Sequence, residues 1–538
     1  MLTKLKGKKL VRAINLVAGL AILFFGYDQG MMSGVNISPD YVRRMKIGDA
    51  TYEGQELGWV SNITNPTKQG GIVSIYYFGT LLGAIWAGVM GDKIGRIRTM
   101  LFGTLFIILG AALQASAMNA AWMCCARTIN GVGTGFLNAI VPVWSAEVAS
   151  HTSRGAFIAM EFTLNIFGVV LAYWIEFGLS YVDEGNSQVR WRFPIAFQLV
   201  PVTMFVISVW FMPESPRWLA KVGRTSEART ILAALRADGN EDDPYVIHEY
   251  TEILEVVALE KANHGRSSYI SMLFGTGWGE LHVARRVQLS VWLQIIQEWV
   301  GIAAVTVYAP TMFSQAGYDN RKSDWLSGLN MITYMISTLG SVVTIDRFGR
   351  RWGLWVGAVV QGIAMFLAGG FSRLTVIESA NGNEVLKSRY GAAGAFFIFL
   401  YTSAFGATWL EIPWVYPTET FPLEVRAKGN AWGVIGWSIG NGWLTLLNPV
   451  MFSSIKENTL HVFGAVNFLS IPLVWAFYPE TANRTLEEVD LLFASDSLFV
   501  WDNEKVFAER KGESDKIVVE KRPSEMREEK EKDSISEV

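Results

Sequence analysis

Predominantly apolar runs of roughly 18 to 25 residues recur along this 538-residue chain, and each is long enough to cross a hydrocarbon layer about 30 Å thick. About twelve of them fall near residues 13–35, 70–90, 99–118, 121–146, 156–178, 194–212, 287–312, 325–345, 352–371, 391–416, 430–452 and 460–478. Inside a bilayer no water is available to pair backbone N–H and C=O groups, so a run of this length must satisfy its own and is expected to be a helix. The expectation is therefore an all-α membrane protein of twelve transmembrane helices. Composition agrees, with 51% hydrophobic residues against 18% charged.

Several functions are excluded early. A net charge of −3 gives no electrostatic footprint for nucleic acid, so the partners expected are the lipid bilayer and a small molecule. The only two cysteines, Cys124 and Cys125, are adjacent within one run and imply neither a disulfide framework nor a metal site. No Walker loop is present, so no ATP hydrolysis, no enzyme activity and no cofactor are expected.

Orientation follows from the basic loops, which stay on the cytoplasmic side. "GDKIGRIR" (91–98) and "DRFGRR" (346–351) are such loops, and Lys4, Lys6, Lys8, Lys9 and Arg12 precede the first run. That first run lacks a small-residue cleavage site and reads as a spanning helix, not a removable signal. Both termini are thus expected inside, at a plasma membrane, with loop 36–69 outside offering Asn36 and Asn62 as glycosylation acceptors in "NIS" and "NIT". The chain divides into a cytoplasmic N-terminus (1–12), a six-helix half (13–212), a cytoplasmic linker of short helices (213–285), a second six-helix half (286–478) and a charged tail (479–538) expected to be largely disordered.

An internal repeat relates the halves. Glu147 precedes Arg154 by seven residues, as Glu419 precedes Arg426; "GDKIGR" is echoed by "DRFGRR", and "PESPRWL" by "PETANRTLEE". These echoes lie about 254 to 272 residues apart, in the same order and orientation, which points to a secondary transporter built from two parallel repeats around a midplane site. The repeated charges suggest a conformational latch. Asp92, Arg96, Glu147, Arg154 and Glu214 of one half can meet Asp346, Arg350, Glu419, Arg426 and Glu480 of the other when the cytoplasmic side is shut. Gly91, Gly95 and Gly349 allow tight turns in the basic loops.

Taken together, "GYDQG", "GDKIGR", "RTINGVGTG", "PESPRWL", "DRFGRR", "ETFPLEVRAKG" and the closing "PET" resemble a sugar porter of the major facilitator superfamily over nearly all of residues 13–490. "VPVWSAEVA", "AYWIEFGLSY" and "WRFPIAFQL" resemble its fungal branch, which carries hexoses, disaccharides, pentoses and glycerol. The resemblance implies the major facilitator fold and a secondary transporter of a sugar or polyol working by alternating access, with proton-coupled uptake, as a monomer. A passive facilitator, a carrier of a polyhydroxy acid such as quinate, a nutrient sensor without transport and a drug exporter are the competing readings.

Asp28 is an acid inside an apolar run, where ionisable groups usually face a bundle interior and serve proton or ion pathways. It lies about 24 Å of helix beyond Arg12, hence in the outer half of the first span, and Arg127 enters the fourth span from the same side. The resemblance implies proton coupling by this pair, with the ionised acid held by Arg127 and the neutral acid releasing it; a permanent structural salt bridge is the alternative.

A sugar needs neutral groups that donate and accept, and an aromatic face for its C–H side. In the seventh run Gln294, Gln297, Glu298 and Gly301 share one helical face, to which Tyr308 returns. The family pattern there, Gln-Gln, three residues, Gly-x-Asn, is broken by Glu298 and by Ala303 in place of asparagine. Trp414 matches the family's stacking tryptophan and Asn441 a polar position in the eleventh run, while Ser438 stands where tryptophan is common. Phe162 and Val169 replace family glutamines in the fifth run, where Glu161 and Asn165 supply other polar groups one turn apart. Glu411, beside Pro413, is a third unusual acid; each of the three could equally be paired structurally and invisible to substrate.

Overall fold

The computed structural model describes residues 5–54, 58–148, 154–262, 268–422, 425–482, 484 and 486–510. Twelve long helices carry the two halves. The first half consists of α1 (Gly7–Val35), α2 (Pro66–Ile94), α3 (Arg96–Ala115), α4 (Ala120–Val148), α5 (Arg154–Leu179) and α6 (Val189–Val209). The second consists of α7 (Val283–Gln315), α8 (Asn320–Phe348), α9 (Arg350–Ala380), α10 (Glu384–Thr420), α11 (Arg426–Ser454) and α12 (Asn458–Phe477). Nine of these, among the described residues, are long and apolar enough on their own to cross a membrane. The other three, α4, α8 and α11, are each 29 residues long.

Local chemistry sets the ends. Asn65, Asp319 and Asn383 each accept the backbone N–H three residues on, capping α2, α8 and α10, and Pro66 occupies the first turn of α2 where its missing N–H costs nothing. The turns α2–α3 and α8–α9 are made by Gly95 (φ +98°) and Gly349 (φ +87°), conformations that L side chains avoid. Within the first half α2 and α4 pack closely because Gly79 and Gly83 lie against the backbone of α4 at Thr128 and Val132, while Gly131 and Gly135 lie against α2.

Three helices are interrupted. The second segment of α6 begins after Gln198; α7 passes through a π-helical stretch, Glu298–Ile302, in which Gly301 has φ +116°; and α10 breaks between Thr408 and Ile412, just ahead of Pro413. The halves meet along α2 with α11 and α5 with α8.

The segment between α1 and α2 folds into a short helix (Pro39–Arg44) and a two-stranded hairpin, β1 (Gly48–Tyr52) and β2 (Trp59–Ile63). Of the two glycosylation sequons, Asn62 is exposed on β2 whereas Asn36 is buried. The linker forms four helices, Pro216–Lys221, Thr225–Arg236, Pro244–Ala262 and Tyr269–Phe274. Arg236 ties it down by donating to Glu249 and to the Val148 carbonyl at the end of α4.

Of the tail 479–538, residues 511–538 lie outside the described residues. In the described part, Leu486–Leu492 is helical, Arg286 pairs with Asp490 at 2.6 Å, and Arg285 donates to the Ser497 and Leu498 carbonyls. Its high charge is absorbed by such pairs, and Phe499 and Trp501 stack beyond Phe477 and Trp475 of α12.

Candidate functional site

Asp28 is buried, and its carboxylate faces α4, where Asn130 donates to Oδ1 at 3.2 Å and also to Gln198 Oε1 at 3.1 Å. Glycines make this depth possible, since α5 presses on α1 so tightly that a Cβ on Gly26 would overlap the Asn165 carbonyl. Arg127 is buried as well, its guanidinium stacked over the Tyr76 ring at 4.8 Å and donating to Gln114 Oε1 at 3.3 Å. Asp28 and Arg127 act on one another electrostatically but form no ion pair, and the Tyr76 side chain lies by the Asp28 carboxylate without closing a full hydrogen bond to Oδ2. Sequence reasoning brought the two to one depth and missed the groups around them. Asn130 was legible one turn after Arg127, and Gln198 as a polar residue at the α6 break; Tyr76 and Gln114 carried no signal.

In the second half the polar stripe of α7 faces the break in α10. Gln297 Nε2 donates to the Trp409 and Leu410 carbonyls at 2.8 and 2.9 Å, and Gln294 Nε2 donates to the Pro413 carbonyl at 3.0 Å. Pro413 lacks the N–H that would serve the Trp409 carbonyl and Pro417 the one that would serve the Pro413 carbonyl, so the amides restore what the two prolines remove. The Oε1 atoms of both glutamines are buried and unpartnered, two open acceptors on this face. Glu298 is buried one residue further, with the side chains of Asn441 and Trp437 directed at its carboxyl. Tyr308 is turned to α11, donating to the Thr445 carbonyl at 3.2 Å.

An aromatic wall closes the space between the halves. Trp437 of α11 packs edge-on against Phe25 at 5.2 Å and Tyr77 at 5.3 Å, and lies 6.1 Å from Trp414, which in turn faces Phe162 of α5 at 6.0 Å. Trp437 was not singled out from sequence, although it adjoins Ser438, the position noted as lacking a tryptophan. Ser438 instead meets Thr80 hydroxyl to hydroxyl at 2.7 Å across the halves.

The remaining acids and amides separate. Glu161 is buried with Ser145 of α4 beside it and its Oε1 unpartnered. Asn165 donates to the Ile22 carbonyl of α1 at 3.3 Å, so its side chain joins two helices of one half and does not reach the wall. Glu411 accepts the Ser341 hydroxyl of α8 at 2.5 Å.

Among the described residues, the charges expected to form the latch pair within each half. Arg96 grips Glu147 through two bonds of 2.9 and 3.0 Å and Asp92 at 3.1 Å, all within the first half. Arg350 pairs with Glu419 at 2.8 Å within the second. Glu214 accepts the backbone N–H groups of Arg96 and Ile97, and Glu480 those of Arg350 and Arg351. Burial raises the Glu214 carboxyl above its ordinary value, and the N–H groups of Ser215, Ile97 and Arg96 oppose it. Each cluster thus closes a helix turn in its own half, because Gly95 and Gly349 bring the helix N-termini against the acids: a Cβ on either would lie 2.6 Å from a carboxylate oxygen. Across the halves, Lys428 of α11 acts electrostatically on Asp92. The side chains of Arg154, Asp346 and Arg426 lie outside the described residues.

Comparison with known proteins follows from this architecture. A family model described as Sugar (and other) transporter matches residues 14–493. The chain is 31% identical over 91% of its length to the Sugar transporter STL1 of Saccharomyces cerevisiae, covering 82% of that protein. It is 32% identical over 88% of its length to the MFS-type transporter oryC of Aspergillus oryzae, covering 84% of it. Among solved structures, a proton:xylose symporter, XylE, bound to 6-bromo-6-deoxy-D-glucose superposes with a TM-score of 0.71 at 23% identity, over 90% of this chain and 99% of that one.

Proposed function

This chain belongs to the Sugar (and other) transporter family, and on that premise we propose that it imports a sugar or polyol together with protons by alternating access. It works as a monomer in the plasma membrane with both termini cytoplasmic. The observation that carries the reading is the pairing of two surfaces at the midplane. One presents acceptors, the buried unpartnered Oε1 atoms of Gln294 and Gln297 and the Glu298 carboxyl; the other presents the faces of Trp414 and Trp437. Hydroxyl donors satisfy the first surface and the C–H face of a polyhydroxylated molecule lies on the second. Glu161, on the opposite half, adds a further acceptor.

Asp28 supplies the coupling. Its carboxylate shares Asn130 with Gln198 and is not locked to Arg127, so gain or loss of a proton can redistribute partners among Asn130, Tyr76 and Arg127 without breaking a buried ion pair. The names of the relatives, a sugar transporter and a proton:xylose symporter, support the same assignment. The two cytoplasmic clusters hold the turns that let each half move as a body.

Uptake of labelled hexoses, pentoses, disaccharides and polyols in transporter-deficient cells, with and without an inward proton gradient, tests this. Gradient-driven accumulation of one cargo, lost in Asp28→Asn while exchange survives, is the expected result. Flux indifferent to gradient and mutation removes the proton from the reading; no flux of any cargo by surface-expressed protein removes transport itself.

A further inference from the structure

At the outer end of the bundle lies a charged cluster that the midplane site does not use. Arg190, in the first segment of α6, faces Asp324, in the first turns of α8, at 3.8 Å across the boundary between the halves. Both side chains are largely buried, at 9% and 14% exposure. Arg190 is aimed by a second bond, donating at 3.2 Å to the carbonyl of Gly185, whose φ of +89° turns that carbonyl towards it. Beside the pair, Glu176 of α5 accepts the backbone N–H groups of Gly34 and Val35 at 2.8 and 3.3 Å, gripping the last turn of α1. Tyr173, one turn earlier on α5, donates across the halves to the Thr306 carbonyl of α7 at 3.0 Å. Ser33, Tyr173, Glu176, Arg190 and Asp324, with Pro310 of α7, surround a cavity of about 10 Å³, room for a single water.

We infer that the Arg190–Asp324 pair is the outer latch of the transporter, and that Glu176 is the positioning residue that joins it to α1. The halves cannot part at this end without separating the pair. Removing one member of a largely buried pair leaves the other charge uncompensated, so the closed arrangement is selectively weakened. Gly34 lies six residues beyond Asp28, about 9 Å along the helix, so a displacement of the outer end of α1 reaches the proton site through a continuous rod. The inference rests on the alternation of access proposed above, and on neither the cargo nor the proton.

The experiment is surface labelling. In a chain with Cys124→Ser and Cys125→Ser, a reporter Ser33→Cys faces the cavity, and intact cells are treated from outside with a membrane-impermeant maleimide. Asp324→Asn and Arg190→Gln are each expected to raise the labelling rate about tenfold, a shift of about 1.4 kcal/mol between the closed and open arrangements. The charge reversal Arg190→Asp with Asp324→Arg is expected to return it to within about twofold of the parent. Unchanged rates in both single variants, with surface amounts confirmed, overturn the latch. Raised rates that the reversal does not lower overturn the pairing and assign the effect to local damage. Because labelling requires neither cargo nor gradient, a chain that failed every uptake assay would still decide this point.

Discussion

The two halves repeat one plan, yet their first helices differ. α1 runs 29 residues without interruption, and its repeat counterpart α7 is broken by a π-helical stretch and by Gly301 at φ +116°. The neighbours differ in the same sense: α4 is one helix despite Pro142, and α10 comes apart between Thr408 and Ile412. In the first half buried side chains bond one another, as Asn130 bonds Asp28 and Gln198; in the second, side-chain amides are spent on freed backbone carbonyls. The first half is broken only in α6, at Gln198, so on the proposed reading the acid lies between two unbroken helices, α1 and α4, whereas the cargo surface lies between two broken ones, α7 and α10. The duplication supplied two copies of the scaffold, and the breaks divided the labour.

The sharpest way to break this division is to exchange the acids' roles. Asp28→Asn is expected to abolish gradient-driven accumulation, a loss of at least about 100-fold, while Glu298→Gln keeps the response to the gradient and shifts KM by about tenfold. Uptake measured with and without the gradient in both variants decides it; coupling lost in Glu298→Gln and kept in Asp28→Asn would reverse the assignment. Next in size is Gly301→Ala. It forces an L side chain into a positive φ and against the Phe463 ring at 3.0 Å, and is expected to cost about 2 to 3 kcal/mol, read as a lowered Tm in detergent.

A smaller test compares the duplicated turns. Arg96→Lys sacrifices a bidentate grip on Glu147 in a site 4% exposed and is expected to cost about 2 kcal/mol. Arg350→Lys weakens the bond to Glu419 at a more exposed site, 13% against 5% for the Arg96 side chain, and is expected to cost about 1 kcal/mol. Equal losses of thermal stability would show the turns to be equivalent. Least of all, Asn165→Ala is expected to leave KM within about twofold, because its amide bonds the Ile22 carbonyl and not the wall. A KM rise of tenfold would place that residue in the cargo path.

Much of the architecture could be read in advance, because bilayer thickness converts directly into run length and the punctuation "GDKIGR"/"DRFGRR" marks the repeat. What stayed hidden was partner choice. Spacing relates Glu147 to Glu419 as repeats of each other, but it does not say whether an arginine closes its own turn or reaches across; Arg96 takes Glu147 and Arg350 takes Glu419, each within its own half. Gln294 and Gln297 were placed on one face, and only the break in α10 reveals that their amides already have carbonyls to serve. Arg190 and Asp324 are joined by no motif at all, since loops and helix ends that meet in space carry no periodicity.

The break in α7 has a mechanical consequence. Its outer arm, Ala303–Gln315, is 13 residues long, about 20 Å from pivot to tip. A swing of roughly 10° at Gly301 therefore carries the tip sideways by about 3.5 Å. At the Thr306 carbonyl, five residues from the pivot, the same swing amounts to about 1.3 Å, still more than a hydrogen bond's range of tolerance, so a rotation hardly visible beside the cargo decides whether the Tyr173 contact is joined or parted. One glycine acts as the fulcrum of a lever, converting a small angular event at the centre of the membrane into a large linear one at its surface.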